Sequence, residues 1–537
     1  MVGRGAWSTL VGSGHWAAGR ERVRWLTVPD PSLRCVTRLR PRWSAVVLLV
    51  AAALAVAGCT TSPSTGPAPP TRPTARSADT ASATHPTPDA RLVLDPHWAL
   101  TRQAPAGALD GWTDRSSVLP GQPVGLHVST TARTWTATAY RMGWYGAVGG
   151  ARVWRSTPTK GGVQAPATFV AATRTVRTSW PTSLHLPTRG WPPGAYLIRL
   201  DSGVGQRVIP FTVRSPSTRG RVVLIDKVTT WQAYNDWGGY NLYHGRRDYS
   251  DRSVVVSFDR PYSVRRSDEL LADDLPTLAR ADRIGIPTAY ATDVDLHADP
   301  HLLDGAAAVV FMSHDEYWSL AMRQSVTRAR DAGVNVAFLG ANNVFRHIRL
   351  EAGPTGPYRL EVNYKGSPDP LLGHDDADVT VDWRDPPLPR PESDLTGVLY
   401  ACNPVETDMV VADPSNWLYA GTPARTGLHL THIVGYEYDR VNLKAPRPAR
   451  MEILTHSPVR CEGRSSFSDS VWYTVPSGAG VFASGSIWFT QGLPEAGARG
   501  VTARVVAGMV DNLLRAFAAG PAGRPHPAVP NVGAFYH

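Results

Sequence analysis

Two patterns of apolar and polar positions divide the chain. Between residues 92 and 215, stretches such as "QPVGLHVSTTARTWTATAYRMGW", "GAYLIRLDSG" and "QRVIPFTVR" alternate apolar and polar side chains, with Gly, Pro, Ser and Thr between them. A period of two turns one face of a strand towards a core and the other towards water. Short strands at regular spacing, without helical periodicity, predict a β-sandwich. No helical pattern of useful length occurs before about residue 266.

From residue 218 to 537 the pattern changes. "RVVLID" (221–226), "TAYATD", an apolar run near 308–312, "VNVAFLG" and "GAGVFASGS" read as compact buried strands. Between them, "SDELLADDLPTLARADRIG" carries Leu270, Leu271, Leu275 and Leu278 at helical spacing. "SLAMRQSVTRARDAG" is an amphipathic helix closed by Gly333, and "GVTARVVAGMVDNLLRAFAAG" is a final helix. Strand–helix alternation predicts an α/β domain with a mostly parallel sheet and helices on both faces. A chain of 537 residues is too long for one core. The expectation is a multidomain protein, a β-sandwich (92–215) followed by a mostly parallel α/β domain (218–537).

The segment ahead of the sandwich has neither pattern. "RLRPRWSAVVLLVAAALAVAGCTTS" runs from a basic stretch through an apolar run to small residues ending at Cys59. The apolar run has roughly the length of a signal-peptide core and is short for a bilayer span. The ending "LAVAGC" resembles a bacterial lipobox, so residues 1–59 are expected to be a lipoprotein leader and Cys59 the lipidated anchor. A transmembrane anchor is the other reading, and both export the body to the outer face of the cell membrane. Residues 60–91, rich in Pro, Thr, Ser and Ala without large apolar side chains, read as a flexible tether.

Charge and cysteine counts sharpen this picture. The net charge is +10, but residues 1–59 hold eight Arg against Glu21 and Asp30, a net of +6, which leaves +4 for the rest. A mildly basic body without a Lys/Arg run excludes nucleic acid as the expected partner. Of four cysteines, Cys35 and Cys59 fall in the leader, leaving Cys402 and Cys461. An even count in an exported chain predicts one disulfide, with two buried thiols as the alternative.

Three predicted strands run into polar, aromatic-rich segments. "VVLID" leads into "KVTTWQAYNDWGGYNLYHG", "AVVFM" into "SHDEYWS", and "VAFLG" into "ANNVFR". In a parallel sheet the carboxyl ends share one edge, where ligand sites of open α/β folds lie. That placement predicts convergence of Tyr234, Asn235, His314, Glu316 and Asn342. A structural reading stands beside it, with loop polar groups satisfied by the backbone, packed Trp and Tyr rings, and His314–Asp315 at a helix start.

The combination "WQAYNDWGGYNLY", "SHDEYWS", "GANNVFR" and "GSIWFTQGL", with "YRMGWYGAVGGARV" upstream, resembles the large (β) subunit of N,N-dimethylformamidase and its actinobacterial relatives over roughly residues 100–520. The resemblance implies a C-terminal domain like the class I glutamine-amidotransferase fold. It also implies an amidohydrolase with a mononuclear ferric ion (Fe3+) held by two tyrosines and one glutamate. On the matching motifs, Glu316 is the carboxylate ligand and Tyr234 one tyrosine ligand, with Tyr240 the fallback. Tyr196 in "GAYLIRL" is the other tyrosine ligand. His314 and Asn342, with Asn343 the neighbour, match active-site positions, and Glu452 in "RMEILTHSP" matches a second catalytic glutamate. The characterised enzyme is a cytosolic assembly with a small second subunit, so an oligomer is admissible here.

The chemistry is coherent. Phenolate and carboxylate are hard oxygen donors suited to a hard, highly charged ion. Three protein ligands leave positions for water and a substrate carbonyl. Glu452 is then expected to shuttle the proton from water to the leaving amine, with His314 and Asn342 stabilising the oxyanion. The expected substrate is a small amide or peptide-like molecule. The competing reading is a non-catalytic envelope lipoprotein that binds carbohydrate or peptide through its eighteen tryptophans. An ion is needed by the first reading and not by the second.

Overall fold

The computed structural model describes residues 92–263, 273–366 and 368–536. The expected leader (1–59), its Cys59 and the expected tether (60–91) lie outside the described residues. No helix among the described residues is long and apolar enough to cross a membrane.

In the first described region two sheets pack over a shared core, beside a two-stranded ribbon, Thr168–Val170 with Thr175–Arg177. One has the strand order Val93–Leu94, Val148–Arg155, Thr134–Trp144, Gly194–Ser202, Gly205–Val213, Ser117–Val118, with Thr159–Lys160 beside Thr134–Trp144. The other has the order Leu184–Leu186, Val124–Thr130, Leu109–Thr113. Alternate residues fill the space between them, including Leu109, Leu126, Val128, Ala137, Ile198 and Phe211. The opposite face of the larger sheet is also dry. Tyr140, Met142, Leu197 and Val208 pack with Val223 and Ile225 of the next sheet.

That next sheet is mixed. Its strand order is Thr288–Thr292, Val222–Asp226, Ala308–Phe311, Asn335–Phe338, Gly480–Ala483, Arg464–Thr474, Met451–Cys461. The first four pairings are parallel and the last two antiparallel. Both faces are buried, which explains the unbroken apolar runs of its parallel strands. Val223, Ile225, Val309 and Phe311 face one core, and Leu224, Val310 and Ala337 face the other. The second core is roofed by the helix Gly500–Ala519, whose Val506, Met509, Val510, Leu513 and Phe517 recur at helical spacing.

The expected mostly parallel, glutamine-amidotransferase-like domain is not what forms. Strand covers 37% of the structure and helix only 19%. The difference lies in residues 346–474, where the chain folds back on itself in hairpins instead of crossing over through helices. Arg346–Gly353 pairs antiparallel with Gly356–Val362, Leu399–Val410 with His429–Arg440, and Met451–Cys461 with Arg464–Thr474. The last pair is joined by Glu462 (φ 50°) and Gly463 (φ 79°). Two consecutive positive φ angles are the signature of the two-residue turn that reverses a strand without splaying the ribbon. Cys402 and Cys461 are disulfide-bonded, fastening the hairpin strand Leu399–Val410 to the edge strand Met451–Cys461.

Candidate functional site

Each segment at the site is held by buried backbone bonds. After Val222–Asp226 the chain makes the short helix Val228–Tyr234, which places Tyr234 in its final turn. The following loop is gathered around one buried guanidinium. Arg260 donates to the carbonyls of Asn235 (2.8 Å), Tyr240 (2.9 Å) and Trp237 (3.2 Å). Asn241 then accepts from the backbone N–H of Tyr243 (2.7 Å) and His244 (2.9 Å), which fixes where the Tyr243 ring enters. The buried Asn235 has a structural task, donating to Gln232 and Pro261 and accepting from Ser263 N–H.

Beyond Ala308–Phe311, the Glu316 N–H donates to the Thr230 hydroxyl (3.0 Å), while the Glu316 carbonyl accepts from Phe345 and Arg346 N–H. The next strand end must come very close. A Cβ on Gly340 would lie 2.3 Å from the Ser313 carbonyl oxygen, so only glycine lets these two loops touch. Two residues on, Asn342 takes a left-handed backbone (φ 53°). The helix start is capped by Ser319, whose hydroxyl accepts from Met322 N–H, and not by His314–Asp315.

These segments bring three oxygen donors together. The Tyr234 hydroxyl lies 2.6 Å from Glu316 Oε2, and the Tyr243 hydroxyl lies 2.6 Å from Glu316 Oε1. The two phenol oxygens are 2.9 Å apart, and their rings stack with centroids 4.6 Å apart. His314 Nε2 stands 3.3 Å from Glu316 Oε2 and 4.0 Å from Glu437 Oε2. Asn342 Nδ2 donates to Glu437 Oε2 at 2.7 Å, leaving Asn342 Oδ1 buried without a partner. Arg346 Nε approaches Glu316 Oε1 at 3.3 Å. The Lys365 ammonium bonds to the Tyr317 hydroxyl and sits 3.1 Å from the centre of the Tyr243 ring.

The electrostatics follow from this packing. Burial alone would raise the Glu316 carboxyl. Its bond to His314, the charge on His314, and Lys365 and Arg346 hold it well below the ordinary carboxylate range. Burial and the charge on Glu316 push the Tyr234 and Tyr243 phenols far up, so without a cation both keep their protons. Burial raises the Glu437 carboxyl, opposed by His314.

The donor set fits a hard metal ion. Among the described residues no group of three or more His, Cys, Asp and Glu is placed to hold one. Two phenols converging on one anionic carboxylate supply the missing donors, and a trivalent cation is the kind of charge that holds phenols deprotonated.

Not every expected residue comes to this cluster. Tyr234, His314, Glu316 and Asn342 meet here. Tyr196 faces the sandwich core with Ile198 and Leu200, stacks on Trp191 (5.5 Å) and donates its hydroxyl to the Pro192 carbonyl (2.6 Å). The fallback Tyr240 packs on Phe169 (5.0 Å) and Arg246. Asn343 accepts from Asp315 N–H at 2.9 Å. Glu452 is committed elsewhere, accepting from Asn416 Nδ2 and Val529 N–H. Their places are taken by Tyr243 and Glu437. Tyr243 sits in the quoted "GGYNLYHG", and Glu437 in the strand "HIVGYEYDR", where Glu437 and Asp439, two apart, are both buried. Acidic side chains on the inward phase of a strand were the available signal.

A family model described as "N,N-dimethylformamidase beta subunit-like, C-terminal" matches residues 136–501, a span that contains the whole cluster. No curated protein matches the chain. The match covers more than half of the sequence, and the chain belongs to the N,N-dimethylformamidase beta subunit-like family.

Proposed function

We propose that the protein is a metal-dependent amidohydrolase that cleaves an amide C–N bond in a small amide or peptide-like substrate. The observation that carries this reading is the convergence of the Tyr234 and Tyr243 hydroxyls on the two oxygens of Glu316, with Glu437 and Asn342 alongside. Tyr234, Tyr243 and Glu316 would hold the ion, the mononuclear Fe3+ that the resemblance implies, to which their hard oxygen donors are suited. When bound, the ion supplies Lewis acidity for the amide carbonyl and lowers the pKa of water.

The remaining work belongs to side chains. Glu437, whose carboxyl is raised by burial, is the group to accept a proton from water and return it to the leaving amine. Asn342 donates to Glu437, orienting the carboxylate, and His314 stands between Glu316 and Glu437 where it can stabilise the oxyanion. Arg346 offsets the negative charge of the ligand set. Export and anchoring through Cys59 belong to this reading, because a lipid-anchored enzyme would meet amides at the outer face of the membrane. The test is elemental analysis with a visible spectrum of the purified protein, prepared without chelator. One equivalent of iron and a broad tyrosinate band are expected. A metal-free, colourless protein without amidase activity overturns the proposal.

A further inference from the structure

A cavity of about 500 Å³ is lined by one end of the Leu399–Val410/His429–Arg440 hairpin and by the turn after Met451–Cys461. The disulfide partners Cys402 and Cys461 both line it, so its two walls are covalently tied together. Its charged side chains are Arg384, Arg440, Lys444, Arg464 and Glu462. Arg384 is already spent, paired with Glu392 and donating to the Tyr400 carbonyl. Arg440, Lys444 and Arg464 form no ion pair with any carboxylate among the described residues. Arg440 donates only to neutral oxygens, including Ser466 Oγ at 3.0 Å. Arg440, held by the Val441 carbonyl, Ser466 Oγ and the face of the Tyr536 ring, keeps its charge, so with Lys444 and Arg464 against Glu462 the described lining carries 3 − 1 = +2.

Like charges gathered in one groove raise each other's energy and attract an anion. A single carboxylate would leave half of that charge unmatched. A phosphomonoester, which carries close to two negative charges at neutral pH and three strong acceptor oxygens, matches it in charge and in donor geometry. Ser465 and Ser466 also line the cavity. We infer that this groove binds a phosphomonoester dianion, through Arg440, Lys444 and Arg464, at a site separate from the Tyr234–Tyr243–Glu316 cluster.

The groove also touches the hairpin that carries Glu437. Tyr400 lines it, and the Tyr400 hydroxyl accepts from Asn403 Nδ2 (2.7 Å), which also approaches Glu437 Oε1 (3.2 Å).

The test uses the full chain and inorganic phosphate, titrated by calorimetry at low ionic strength. Wild type is expected to bind one equivalent saturably. The double variant Lys444→Gln/Arg464→Gln removes two exposed, unpaired cations and should weaken binding at least tenfold. Glu462→Gln, which removes the one acidic side chain among the described residues lining the cavity, should tighten it several-fold. Co-sedimentation with phosphatidic acid vesicles, against phosphatidylcholine vesicles, identifies the source. A sedimentation difference that disappears in the double variant assigns a lipid headgroup, and phosphate binding without it assigns a soluble ligand. No saturable binding by wild type overturns the inference. So does binding that survives in the double variant and is lost in Glu316→Ala, which would place phosphate at the candidate metal site. The groove variants leave that site intact, so failure here is separable from failure of the amidohydrolase proposal.

Discussion

Tyr243 and Glu316 lie 73 positions apart in the chain, yet their hydroxyl and carboxylate meet at 2.6 Å. With Tyr234 on the other carboxylate oxygen, the geometry separates the true neighbours of Glu316 from other tyrosines in the sequence. Tyr243→Phe and Tyr234→Phe should each lose or shift the visible band and lower iron content. Tyr196→Phe should leave both unchanged and cost about 1 kcal/mol of stability, the net value of one hydrogen bond to the Pro192 carbonyl. Iron analysis and thermal melts of the three variants check this. Loss of iron in Tyr196→Phe with retention in Tyr243→Phe would reverse the assignment.

The two glutamates should part in the same way. Glu437→Gln keeps the shape of the site and removes its proton carrier, so hydrolysis should fall by roughly a hundredfold or more while iron is retained. Glu452→Gln should hydrolyse normally. Its carboxylate binds Asn416 and the Val529 N–H, so the loss of a charge-assisted bond should instead lower stability by about 1–3 kcal/mol. Amidase assays beside denaturant melts distinguish the outcomes. Equal activity loss in both variants contradicts the assignment of Glu437.

How much of this was legible in the sequence depends on burial. The parallel strands at 222–226, 308–311 and 335–338 stand out because both faces are dry and each is an apolar run, broken only by Asp226 at the end of the first and Asn335 at the start of the third. The hairpins after residue 346 do not, since strands such as His429–Arg440 mix exposed and buried positions irregularly. The turn in "CEGR" is a local signal for one antiparallel ribbon; the three antiparallel hairpins and the mixed sheet together overturn the parallel expectation. At the site, residues directly after apolar strands were found, because the strand end fixes their position. Tyr243 depends on a loop gathered by Arg260, which has no local pattern, and Glu437 on a distant hairpin, where the buried acidic pair Glu437 and Asp439 marks the strand but not what it meets. Tyr196 shows the reverse error. Its strand phase, shared with Ile198 and Leu200, points it into the sandwich.

The disulfide closes a separation of 59 residues. Constraining a loop of that length in the unfolded chain stabilises the fold by about 4 kcal/mol in the chain-entropy account. A non-reduced digest should give the linked Cys402 and Cys461 peptides. Cys402→Ser/Cys461→Ser should unfold at lower denaturant by an amount of that order. Two alkylatable thiols in the native protein would contradict the bond.

Asp226 closes the first strand of the mixed sheet, fully enclosed, with Oδ2 accepting from the Thr212 hydroxyl at 2.5 Å and Oδ1 unpartnered. Burial pushes its carboxyl up to about 7, helped by Asp274 and opposed by the Thr212 bond and Lys227. In the unfolded chain an aspartate titrates near 4. Between these two values the folded state holds a proton that the unfolded state has released. Stability therefore falls as pH rises through this window, because the native state binds more protons. Asp226→Asn stays neutral at every pH and removes this slope. Denaturant melts of wild type and variant should give a stability difference that is constant below about pH 4. It should then move against wild type by a few kcal/mol by pH 8. Other buried carboxylates, such as Asp439, titrate in the same range but cancel in the difference. A difference that does not change with pH would show that Asp226 ionises in the folded protein where it does in the unfolded chain.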